Sequence, residues 1–108
     1  MKRISYSFNK DDIPACLFAL TQLDLLHDDE ISDIQVTINE QCAVSASNKL
    51  ASSQQLTPNE IRVLCCCISL CNAICQGDFQ ADEDTRKECM RYMFSLNKLD
   101  KELCSQIF

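Results

Sequence analysis

Glycine is nearly missing from this chain: Gly77 is its single instance in 108 residues, and there are only two prolines. One glycine cannot build a G-x-G-x-x-G or G-x-x-x-x-G-K-[ST] phosphate loop. So few turn formers also argue against a turn-rich all-β sandwich and against a disordered linker protein. Tryptophan is absent and histidine occurs once, at His27. No C-x-x-C pair occurs among the nine cysteines, so the tight knuckle of a structural zinc site is missing. No segment approaches the roughly 20 apolar residues of a membrane span. The longest candidate, 13–26, is interrupted by Gln22 and Asp24. The N-terminal "MKRISYSFNKDD" lacks the apolar run of a signal peptide. These absences point to the cytoplasm, where thiols stay reduced, so the cysteines are not read as a disulfide framework.

One more absence is local. Residues 11–48 contain no lysine or arginine but carry Asp11, Asp12, Asp24, Asp28, Asp29, Glu30, Asp33 and Glu40. The whole chain is at −6, so this stretch holds more than the full excess of negative charge. Such a field repels nucleic acid and anionic membrane and attracts a basic partner.

Apolar residues make up 46% of the chain, enough for a core in one domain spanning 1–108. "RISYSF" alternates Ile4, Tyr6 and Phe8 with serines, the period of a half-buried strand. Asp11 or Asp12 with Pro14 then starts a helix running to about His27. "DIQVTIN" alternates Ile34, Val36 and Ile38, and Asn39–Gln41 forms a short turn into "CAVSA". Residues 47–56 connect this αβ half, 1–46, to a helical half, 57–108. There Thr57, Pro58 and Glu60 form a capping box, and Gly77 closes the helix they open. A last helix follows Asp82, Glu83 and Asp84, with a kink near Asn97. The expected fold is α+β: three antiparallel strands, at 3–8, 33–39 and 42–46, covered by one N-terminal and two long C-terminal helices. A mostly α-helical bundle is the alternative.

Five of the nine cysteines fall in "VLCCCISLCNAIC", residues 63–75. On a helical wheel Cys67, Cys71 and Cys75 lie among branched aliphatics, where a free cysteine acts as a small hydrophobe. Cys65 falls beside Asn72 and Gln76, which makes it the candidate exposed and reactive thiol, with Arg62 three positions away. A double bridge of a Cys65–Cys75 helix to a Cys89–Cys104 helix is excluded by reach. The pairs span roughly 15 and 22 Å at 1.5 Å per residue.

No nucleophile–base pair or carboxylate dyad stands out, so no catalytic residue is assigned. His27 reads as a charge–dipole contact at a helix C-terminus. "HDDEISD" lacks the pattern of a calcium loop, and no metal or cofactor is assigned. The composition favours a non-enzymatic interaction module, an inhibitor or adaptor for a basic partner such as a nucleic-acid-binding protein. Its contact residues would be Asp24, Asp28, Asp29, Glu30 and Asp33, and self-pairing into a homodimer is compatible with it. The alternative is a thiol-based redox or metal sensor.

Overall fold

The computed structural model describes residues 6–27 and 30–106. It is helical throughout. Among the described residues there is no strand, which overturns the α+β expectation in favour of the helical bundle. Five α-helices run α1 Ile13–Thr21, α2 Asp33–Ala51, α3 Pro58–Gln76, α4 Glu83–Arg91 and α5 Met93–Glu102. Short 3-10 turns occupy Lys10–Asp12, Leu23–Leu26 and Cys104–Gln106.

The largest correction is α2. The segment expected to pair as 33–39 and 42–46 is one 19-residue helix. Its start follows ordinary capping chemistry: the Ser32 hydroxyl accepts from the Gln35 amide at 3.2 Å, and Asp33 sits in the first turn. The proposed turn at Asn39–Gln41 contains no glycine to take up positive φ. The stripe that faces the protein is Val36, Asn39, Ala43, Ala46 and Leu50, at spacings of three and four. Ala43, Ala46 and Leu50 are buried, and Val36 and Asn39 are half-buried. Alanine and asparagine carry little hydrophobic signal, so the louder alternation of Ile34, Val36 and Ile38 imitated a strand.

The strand expected at 3–8 lies partly outside the described residues. Within them, Tyr6–Phe8 is irregular. Its aromatic rings meet edge-to-face at 5.0 Å and pack on the core, and the Tyr6 hydroxyl donates to Glu102 at 3.0 Å. The helix expected over 13–27 ends early, at Thr21. There the threonine hydroxyl bonds back to the Phe18 carbonyl at 2.5 Å, and the chain continues as a 3-10 turn. The last helix breaks at Tyr92 rather than near Asn97.

α3 is the centre. Helices α1, α2, α4 and α5 all pack against it. Its N-terminus carries the expected box: the Thr57 hydroxyl accepts from the Glu60 amide at 3.2 Å, and the Thr57 amide donates to Glu60 Oε1 at 2.7 Å. Lys49, on the last turn of α2, reaches the same oxygen at 2.9 Å. Burial works to raise the Glu60 carboxyl. Hydrogen bonds from Ser45, Thr57 and Lys49 prevail and hold it at about 2. Gly77, at φ 82°, closes the helix in the left-handed conformation. By length and composition α3 could cross a membrane, but 61% of that stretch is buried inside the fold. A second, half-buried ion pair, Asp12 to Lys98 at 3.0 Å, ties the N-terminal turn to α5.

Two outcomes test this arrangement. Glu60 is depressed in the fold, so its contribution is present above pH 4.5, its ordinary value, and is lost as pH falls from there towards about 2. Urea titrations from pH 6 to pH 3 should show wild type losing about 2 kcal/mol more stability than Glu60→Gln. Parallel curves would show that the cap cluster carries no such stability. Separately, Ala46→Leu should destabilise by about 1–3 kcal/mol through overpacking, while Ile38→Glu on the open face should stay within about 0.5 kcal/mol. Equal costs at both positions would contradict the orientation of α2.

Candidate partner-binding surface

Inverted amphipathicity marks the outer face of α2. The side turned to the core is mostly alanine, whereas Ile34 is 75%, Val44 63% and Ile38 44% exposed. At 100° per residue these three fall within about 120° of arc. Leu25, 41% exposed, stands on the Leu23–Leu26 turn, which packs against α2. A shallow groove of about 780 Å³ continues along the helix, with Thr37, Gln41, Val44 and Asn48 in its lining.

The carboxylates singled out in the sequence surround this face in part. Asp24 is exposed on the 3-10 turn, Glu30 in the turn before α2, and Asp33 in its first helical turn. Asp28 and Asp29 lie outside the described residues. Glu40, exposed on the second turn of α2, belongs with them and was not selected from sequence. Neither were Ile34, Ile38 and Val44, because a strand reading gave Ile34 and Ile38 a buried face. The i, i+4 spacing of Ile34 and Ile38 was the available signal.

His27 does not end an α-helix. It follows the 3-10 turn in extended conformation, with ring Nε2 3.4 Å from the Asn39 side-chain nitrogen. One ligand atom each from Asp24, His27 and Glu40 lies within 4.8 Å of the others. This is the described group able to hold a metal ion, and it contains no thiol.

The cysteines resolve differently. All nine are free thiols, and Cys16, Cys65, Cys67, Cys71, Cys89 and Cys104 are buried. The expected exposure of Cys65 is corrected: its side chain is 0% exposed. The wheel assumed that α3 has one apolar side. In the fold its open strip is the narrow line Arg62, Ser69 and Gln76, and α5 covers the side that carries Asn72. Asn72 is itself buried, donating to the Leu96 carbonyl at 3.4 Å.

Two thiol neighbourhoods join α3 to the C-terminal helices. The Cys104 sulfur points at the Cys65 carbonyl at 3.9 Å, and the Cys71 and Cys89 thiols contact each other. Cys65 and Cys104 thus stand together as in one half of the double bridge excluded by reach, whereas Cys71 rather than Cys75 meets Cys89. Hydrogen bonding to Cys104, together with burial, pushes the Cys65 thiol upward. Burial, reinforced by Asp12, pushes Cys16 to about 12, and burial does the same for Cys67. Thiols displaced this way are scarcely ionised at neutral pH and are poor nucleophiles.

No protein-family model matches the sequence, and no curated protein and no solved structure matches it. The site therefore rests on its own geometry.

An Ellman titration checks the thiol assignment. In the native protein fast reaction should be confined to Cys42, Cys66 and Cys75, the three half-buried sulfurs, with the other six reacting only on denaturation. Fast native modification of Cys65 would contradict it.

Proposed function

We propose that this protein is a non-enzymatic cytoplasmic interaction module, an inhibitor or adaptor, whose α2 face docks a basic amphipathic helix of a partner protein. The observation that carries this reading is the exposure of Ile34, Ile38 and Val44 on a helix whose buried side chains are only Ala43, Ala46 and Leu50. Each such side chain gains roughly 1.5–3 kcal/mol when fully buried, so a covered face is more stable than an open one. The charge nearby selects the partner's sign. Asp33 and Glu40 flank one edge of the face, Asp24 lies close to Glu40, and residues 11–48 hold no lysine or arginine. A second copy presenting the same face would meet like charge, whereas a helix carrying lysine or arginine beside its apolar stripe would be attracted.

The thiol-sensor alternative loses support from the structure. Its principal residue, Cys65, is fully buried, and its thiol is shifted away from ionisation.

Calorimetry with a helical leucine–lysine peptide of about 20 residues tests the proposal. Binding should weaken at least about tenfold between roughly 0.05 and 0.5 M salt. The double variant Ile34→Asp, Ile38→Asp should abolish it while leaving the far-UV circular dichroism unchanged. Salt-insensitive binding, or binding that survives the double variant, would refute the assignment. Concentration-dependent dimerisation lost in the same variant would replace the basic partner with a second copy.

A further inference from the structure

We propose that Asp24, His27 and Glu40 form a site for a divalent transition-metal ion, specifically Zn²⁺, at the junction of the Leu23–Leu26 turn and α2. This goes beyond the partner-docking reading and does not depend on it. The three donors are not a run of neighbouring acids. Asp24 comes from the 3-10 turn, His27 from the residue that caps it, and Glu40 from the second turn of α2. Their ligand atoms nevertheless converge within 4.8 Å of one another. A tetrahedral zinc with bonds of about 2.0–2.1 Å places its ligand atoms roughly 3.3 Å apart. The remaining contraction falls within side-chain rotation of two exposed carboxylates.

Two features favour a cation here. First, two carboxylates are held close together without a basic neighbour. Among the described residues no lysine or arginine forms an ion pair with Asp24 or Glu40, and the lysine nearest in sequence to Glu40, Lys49, is engaged by Glu60. A dication satisfies both charges at once. Second, the histidine is oriented. Nε2 of His27 contacts the Asn39 side chain, whose Oδ1 accepts from the Gln35 side chain at 2.9 Å. Asn39 lies on the inward stripe of α2 beside the ring; a metal on Nδ1 puts the ring proton on Nε2, and the Asn39 amide then turns its oxygen rather than its nitrogen to that N–H, the arrangement in which outer groups orient a metal-bound histidine.

The donor set chooses the ion. One imidazole nitrogen selects against calcium and magnesium, which take oxygen ligands. The absence of a thiolate selects against soft ions such as Cu(I), and two carboxylates with one imidazole suit zinc or its spectroscopic substitute cobalt. Three protein donors leave at least one position for water, so the site is an open one.

The test uses the full reduced chain with Co²⁺ for spectroscopy and Zn²⁺ for calorimetry. One equivalent should bind, giving weak visible d–d bands without a thiolate-to-cobalt charge-transfer band. His27→Asn should weaken binding at least about tenfold, because a three-donor site loses a third of its ligands. Glu40→Gln, a substitution of an exposed side chain that leaves the helix intact, should do the same. Asp84→Asn, an exposed acid at the start of α4, should bind like wild type. Absence of binding at about 100 μM metal would overturn the assignment, since a useful site exceeds about 5 kcal/mol. So would binding undiminished in both variants, or a thiolate charge-transfer band, which would move the metal to the cysteines.

Discussion

α3 has almost no side that it can show to water, and the other helices are arranged to solve that problem. Its open strip is the single line Arg62, Ser69 and Gln76. The rest is covered by α1, α2, α4 and α5. Leu64, Ile68 and Ile74 supply bulk, and Cys65, Cys67 and Cys71 supply small apolar volume where neighbouring helices approach closely. The sulfur-rich stretch thus does the work of packing. Reactive thiols need exposure, and Cys65, Cys67 and Cys71 have none.

The N-terminus of α3 is satisfied by its own capping box, whose Glu60 is buried although Thr57 and Asn59 are exposed. Glu60 returns to the Thr57 amide while holding Lys49 from α2. Its carboxylate is therefore both a cap and an anchor between two helices. Asp12 and Lys98 do similar work between the N-terminal turn and α5. The first pair couples consecutive helices and the second couples segments 86 residues apart, and both place the carboxylate deeper than the lysine, whose flexible stem reaches in from the surface.

What the sequence made legible was local. Thr57, Pro58, Glu60 and Gly77 delimit α3 because capping chemistry is written in adjacent residues. Asp82 starts α4 for the same reason. What it hid depends on neighbours. Cys65 looked exposed because a wheel can divide a helix into two faces but does not reveal how many partners surround it. The carboxylates at Asp24, Glu30 and Asp33 were visible as charge, whereas the approach of Asp24 and His27 to Glu40 needs the turn and the helix folded together.

α2 shows how a misreading and a candidate function can have one origin. A helix buried on one side and wet on the other displays a single stripe at spacings of three and four. In α2 the inward stripe is made quiet by Asn39, Ala43 and Ala46, while aliphatics occupy the outward side. The two contributions nearly cancel, and what remains is the alternation of Ile34, Val36 and Ile38 that resembles a strand. Stability alone does not explain that distribution, because moving the isoleucines inward and the alanines outward would bury more apolar surface. Local pattern and global fold usually agree in a natural sequence, and disagreement concentrates where another requirement acts. In α2 the disagreement falls on the side whose edge carries Asp33 and Glu40, with Asp24 close by. That coincidence is why the docking surface is proposed on α2 rather than on the cysteine-rich helix that first attracts attention.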